Sequence, residues 1–103
     1  MNQALSLSQE KDLLKSIPYW KLDKSGTMIY REFLMKNFVA AVDLINRITK
    51  IAQEQDHHPD IHLTGYRNLR VELSTHEAGG LSEKDFIEAG KIDKLPAELK
   101  ELI

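Results

Sequence analysis

The chain has 103 residues, 42% of them apolar and 29% charged, with a formal net charge of -2 and no cysteine. That balance suits one folded domain spanning residues 1–103 around a single core. It excludes a disulfide framework, a thiolate metal site and a thiol nucleophile, and the interspersed charges offer no basic stripe for a direct nucleic-acid partner.

No segment reaches the roughly 18 continuous apolar residues of a membrane span. Met1 to Glu10 lacks a basic start followed by an apolar run, so no secretory signal is expected, no membrane partner, and a cytoplasmic location by default. A domain this small buries a limited fraction of its surface, which makes self-association an expected source of extra stability.

Ser6-Leu7-Ser8-Gln9 has the form of a capping box, which predicts a first helix to about Ser16, ending before Pro18. Tyr19 to Leu22 reads as a strand, Asp23-Lys24-Ser25-Gly26 as a turn, and Thr27 to Phe33 as the returning strand of a hairpin. From about Lys36 the period changes. Phe38, Ala41, Val42, Ile45, Ile48 and Ala52 recur at three- and four-residue steps, one apolar stripe of an amphipathic helix. Val39, Leu44 and Ile51 fall off the centre of that stripe; they either widen a core-facing surface or meet a partner subunit on a second side.

Pro59 disfavours helical geometry in the residue before it, so Asp56-His57-His58-Pro59 belongs to the helix C-terminus or the turn that follows. Ile61 to Tyr66 reads as a strand, Arg67-Asn68 as a turn, and Leu69 to Thr75 as another strand. In the last, Leu69, Val71, Leu73 and Thr75 share one face, while Arg70, Glu72, Ser74 and His76 share the other. Glu77 to Gly80 is a flexible loop. Ser82-Glu83-Lys84-Asp85 caps a third helix to about Ile92, and Pro96 begins a short C-terminal turn of helix. The order α-β-β-α-β-β-α predicts an α+β fold: a four-stranded antiparallel sheet with about three helices packed on one face.

All four histidines lie between positions 57 and 76. If the helix end and the strand end converge, His57, His58 and His76 line one pocket with Asp56, Glu77 and the hydroxyls of Ser74 and Thr75. Imidazole titrates near neutrality, so the same residue type can serve as acid and as base in an elimination or hydration, without a nucleophile or a metal. Helix capping and surface decoration account for the same histidines in other proteins. A metal site is a further reading, opposed by the adjacency of His57 and His58 and by the proline between His58 and His62. A serine triad on Ser74 or Ser82 lacks the flanking glycine elbow. Trp20 and Tyr66 are either core or walls for a flat heteroaromatic ligand.

The strings Asp56-His57-His58-Pro59, Tyr66, Leu73-Ser74-Thr75-His76-Glu77 and Gly80-Leu81-Ser82-Glu83-Lys84-Asp85 together resemble the pterin-4a-carbinolamine dehydratases. The resemblance extends from about Leu7 to Ile92 and takes in Trp20 and the long central helix. It implies loss of the 4a-hydroxyl from 4a-hydroxytetrahydropterin, giving quinonoid dihydropterin, with no cofactor and no metal. His57 and His76 would then transfer protons and His58 would chiefly position the pterin. Asp56, Ser74, Thr75 and Glu77 would line the site, and Trp20 would border it. It further implies a homodimer or homotetramer, coupled metabolically to an aromatic amino acid hydroxylase. One departure is visible: the acidic residue expected four positions before His57 is Gln53, beside Glu54. Some animal relatives also act as dimerisation cofactors of a homeodomain transcription factor, and some other relatives resemble assembly factors, which makes a non-catalytic protein-binding module the alternative reading. Such a role would use the surface of the long helix, at residues such as Val39 or Leu44.

Overall fold

The hydroxyl of Ser6 accepts the Gln9 N–H at 3.2 Å, and the Gln9 side chain accepts the Ser6 N–H at 2.8 Å, the reciprocal cap that starts α1 (Leu7–Leu14). The computed structural model describes residues 4–100. The extreme ends of the expected 1–103 domain, and the start of the Met1 to Glu10 segment, lie outside the described residues.

Helix α1 stops two residues short of Ser16, and the chain continues in tight turns in which Ser16 N–H bonds Leu13 C=O and Ile17 N–H bonds Leu14 C=O. Another such turn, Trp20 N–H to Ile17 C=O, takes up the start of the expected first strand, so β1 is only Lys21–Leu22. The turn is held by Asp23, whose carboxylate accepts the N–H groups of Thr27 and Met28, and β2 (Ile29–Leu34) returns from it.

Asn37 caps α2 (Phe38–Gln55) by accepting the Ala40 N–H at 2.8 Å. The buried stripe of α2 is Ala41, Leu44, Ile48 and Ala52, with Ala40 at its edge. This corrects the expected stripe: Leu44 is 1% exposed, whereas Phe38 is 54% and Val39 75% exposed. At about 100° per residue the buried centre lies between Leu44 and Ala52, which puts Phe38 roughly 80° and Val42 roughly 120° off it. Apolar residues flank that centre on both sides, and only the packed sheet selects between them. Leu44 is therefore a core residue and no part of a docking surface.

β3 (Asp60–Thr64) and β4 (Asn68–Leu73) form the second hairpin, and β4 also pairs with β2, giving one antiparallel sheet in the order β1-β2-β4-β3. The three-residue connection is Gly65-Tyr66-Arg67, with φ of +53° at Gly65 and +56° at Tyr66. Tyr66 thus sits in the turn and is exposed, not at the end of a strand. The alternation in β4 is as expected: Leu69, Val71, Leu73 and Thr75 are each 0–1% exposed. Leu69, Val71 and Leu73 join Ile29, Leu44 and Ile48 in one core, completed from α3 (Glu83–Asp93) by Phe86, Ala89 and Ile92.

Pro96 starts no helix. Residues 96–100 run extended beside the end of β2, where Lys36 N–H bonds Glu98 C=O and Lys100 N–H bonds Leu34 C=O, both at 2.9 Å. A segment this short cannot repay helix nucleation, and the unpaired backbone groups after β2 offer it ready partners. No helix among the described residues is long and apolar enough to cross a membrane.

Candidate active site

Helix α2 ends at Asp56, which adopts a left-handed conformation with φ of 50° and turns the chain out of the helix just ahead of Pro59. His57 N–H still bonds Ala52 C=O at 3.1 Å, so the backbone is pinned as the imidazole leaves the helix. That ring meets α3: His57 Nε2 lies 2.6 Å from Asp85 Oδ1. The His57 side chain is 11% exposed and that of Asp85 is fully buried.

Asp85 holds two more donors on its second oxygen, the Thr75 hydroxyl at 2.7 Å and the Ser82 N–H at 3.0 Å. Thr75 Oγ1 and Ser82 Oγ are themselves 2.8 Å apart. One carboxyl therefore ties together the end of α2, the end of β4 and the start of α3. With Asp85 accepting, His57 Nε2 carries the hydrogen and Nδ1 keeps a free lone pair, the arrangement of an imidazole oriented by a carboxylate.

Asp60 pairs with Glu72 at the rim of the β3–β4 ladder, so His57–Pro59 and Ser74–His76 leave the sheet at the same end. His58 is exposed and its Nε2 lies 2.7 Å from Gln53 Oε1, one turn back on α2. His76 opens a 3-10 turn (His76–Ala78) and is exposed, lining a cleft of about 290 Å³ with Thr27, Ser74, Thr75, Gly79 and Gly80. The expected loop after His76 is thus a short turn of helix ended by Gly79 in a left-handed conformation, φ 72°.

The structure brings most of the expected residues to one end of the sheet and separates others. Asp56 and Glu77 are exposed, Asp56 beside His57 and Glu77 in the turn after His76. Thr75 is 1% exposed, and its hydroxyl serves Asp85. Trp20 does not border this site. It is 4% exposed in the core, and its indole N–H donates to Asp93 Oδ1 at 2.8 Å, at the opposite end of α3 from Asp85. Its indole needs both apolar cover and one acceptor, and Asp93 supplies the acceptor there. His62 is also elsewhere, on the open face of the sheet, 3.1 Å from Glu72 Oε1. Among the described residues no group of three or more His, Cys, Asp or Glu side chains is placed to hold a metal ion.

Glu88 was not singled out by its sequence position. It lies one helical turn after Asp85, is fully buried, and neither of its carboxyl oxygens has a hydrogen-bond partner among the described residues. Burial pushes its carboxyl up to about 7, with His57 pulling it down, Asp85 pushing it up and Lys91 pulling it down. Its only signal in the sequence is the three-residue spacing from Asp85, which repeats on every helix that carries acids.

Residues 3–95 match the family model of pterin 4 alpha carbinolamine dehydratase. A Halorhodospira halophila protein provisionally named as a pterin-4-alpha-carbinolamine dehydratase is 46% identical over 89 residues, covering 86% of this chain and 81% of that protein. The Arabidopsis thaliana mitochondrial pterin-4-alpha-carbinolamine dehydratase 2 is 38% identical over 98 residues, covering 93% of this chain; the match spans 52% of the Arabidopsis protein. Among solved structures, a transcriptional coactivator/pterin dehydratase from Brucella melitensis superposes with a TM-score of 0.82 at 27% identity, covering 88% of this chain and 96% of that one. A pterin dehydratase-like protein identified as a RuBisCO assembly factor in the alpha-carboxysome superposes with a TM-score of 0.60 at 16% identity over 72% of this chain and 84% of that one, a likeness of fold.

Proposed function

Because the chain belongs to the pterin 4 alpha carbinolamine dehydratase family, a family of hydro-lyases, we propose that it removes water from 4a-hydroxytetrahydropterin by histidine acid–base catalysis at the His57–His76 end of the sheet. The observation that carries this reading is the Asp85–His57 pair, a buried carboxyl orienting an imidazole at the end of the sheet where His76 lines an open cleft.

The elimination breaks the C4a–O bond and the N5–H bond. One proton goes to the departing hydroxyl and one leaves N5, so water and quinonoid dihydropterin are the products. His57, oriented by Asp85, and His76, on the cleft wall, supply the two proton-transfer groups. His58 positions the ring, and Ser74, Asp56 and Glu77 lie close enough in the chain to contribute polar contacts. Thr75 acts through Asp85. In this reading the chain works as a homodimer or homotetramer and serves an aromatic amino acid hydroxylase by regenerating its pterin. The test is the rate of 4a-hydroxytetrahydropterin dehydration with the purified chain. Acceleration over buffer supports the assignment, and a folded protein that gives none removes it.

Gln53 sharpens the reading. Its Oε1 accepts a hydrogen bond from His58 Nε2 where a carboxylate would give a charge-assisted one. Glu at this position is expected to hold the His58 ring more firmly and to raise kcat/KM by about threefold. Steady-state kinetics of Gln53→Glu checks this, and an unchanged or lower value means that His58 is already held well enough by the amide.

The rival role, a protein-binding module, would rest on the exposed Phe38 and Val39 at the start of α2. It makes no use of the buried Asp85–His57 pair.

A further inference from the structure

The inward face of β4 is apolar at Leu69, Val71 and Leu73, and the next inward position carries Thr75, equally buried at 1% exposed. Valine has nearly the same shape and would bury no polar atom there, so the hydroxyl calls for a reason of its own. A hydroxyl has a single hydrogen to give. Thr75 gives it to Asp85 Oδ2 at 2.7 Å, so in the 2.8 Å contact between Thr75 Oγ1 and Ser82 Oγ the donor is Ser82. The result is a buried chain from Ser82 through Thr75 and Asp85 to His57, closed by the 2.6 Å contact of Asp85 Oδ1 with His57 Nε2. The Ser82 N–H adds a second donor to Asp85 Oδ2 at 3.0 Å. Capping of α3 accounts for Ser82 and Asp85, but it makes no use of Thr75, which comes from another element.

We propose that Ser82 and Thr75 are positioning residues for His57: their linked hydroxyls hold Asp85 in one orientation and share its negative charge, so that its other oxygen orients the His57 ring without immobilising the proton. This rests on the reading of His57 as a proton-transfer residue. Hydrogen bonds in a chain polarise one another, so the Ser82 hydroxyl makes that of Thr75 a better donor. Two donors on Oδ2 weaken the pull of Oδ1, and the imidazole stays able to take a proton at Nδ1 and release it again. Thr75 shares the cleft wall with His76, but its hydrogen is committed to Asp85, so its hydroxyl reaches the substrate only through His57.

The test compares Thr75→Val, which removes the hydroxyl and keeps the shape, with Thr75→Ser, which keeps the hydroxyl. The first readout is the proton NMR signal of His57 Nε2–H in the full chain without pterin, assigned by its loss in His57→Gln. In Thr75→Val it should move downfield, because Asp85 pulls harder on that proton once a donor is lost; in Thr75→Ser it should stay near the wild-type position. A signal that Thr75→Val leaves in place or moves upfield, or that Thr75→Ser moves as far, overturns the proposal.

Kinetics provide the second arm. In Thr75→Val kcat for dehydration should fall about tenfold with KM changed less than about twofold, and Thr75→Ser should recover kcat to within about twofold of wild type. A raised KM at constant kcat would make Thr75 a substrate contact, and that result also overturns the relay. Ser82→Ala removes the outer hydroxyl alone, so its signal should move the same way and its kcat fall about threefold. It decides the matter if Thr75→Val fails to fold. The NMR signal is read without pterin, so a chain inactive as a dehydratase would fail the functional reading and still decide this one.

Discussion

The His57→Ala/His76→Ala double variant is expected to dehydrate 4a-hydroxytetrahydropterin at close to the uncatalysed rate, a loss of about 10⁴-fold in kcat. General acid and general base groups contribute roughly 10²–10⁴-fold each, and because they act in one event the double loss falls short of the product of the singles. His57 is expected to matter more than His76. It is 11% exposed and locked to a fully buried acid, so its geometry is set before substrate arrives. His76 is exposed on a short turn, with no buried partner fixing its ring. Stopped-flow measurement of quinonoid dihydropterin formation, with circular dichroism to establish folding, decides the matter. Near-wild-type turnover in the folded double variant would mean that the chemistry lies elsewhere. Because His57→Ala strands a buried oxygen of Asp85, it should also cost about 1–3 kcal/mol of stability; His57→Gln, which keeps a donor there, separates the two losses.

Replacing Glu88 by leucine should do the opposite to stability. The folded state raises the Glu88 carboxyl from its ordinary 4.5 to about 7, chiefly by burial, so the folded chain holds that proton more tightly than the unfolded chain. The associated stability is fully present below about pH 4.5 and is lost as pH rises through about 7. The loss across that window is about 3 kcal/mol. Glu88→Leu is therefore expected to be about 3 kcal/mol more stable than wild type at pH 8, a gain of about 15 °C in Tm, with a much smaller gain at pH 4. Thermal denaturation of both proteins at the two pH values checks this. Equal Tm values at pH 8 would show that Glu88 finds a partner in solution.

Much of the fold follows from local rules that neighbouring residues satisfy without help. The Ser6–Gln9 and Ser82–Asp85 capping boxes start α1 and α3 because each needs only four consecutive residues. Pro59 ends α2 before the histidines because the restriction acts on its immediate neighbour. The alternation from Leu69 to Thr75 sets which face of β4 is buried, since a strand has a period of two. Those rules are enough to put His57 at a helix end and His76 past a strand end, and hence to point at an acid–base site.

Tertiary structure decided what depends on residues distant in the chain. Leu44, not Phe38, faces the core because α2 carries apolar residues on both flanks and only the sheet chooses among them. Trp20 went to Asp93 and away from the histidines, and residues 96–100 joined β2 in place of a helical turn, because in each case a distant backbone or carboxyl group offered the missing hydrogen bond. The meeting of Asp85 with His57 across 28 positions, and the burial of Glu88 with no hydrogen-bond partner among the described residues, have no local signature. Sequence periodicity reports which way a side chain points from its own element. The chemistry of this site depends on what that side chain meets when three elements pack together.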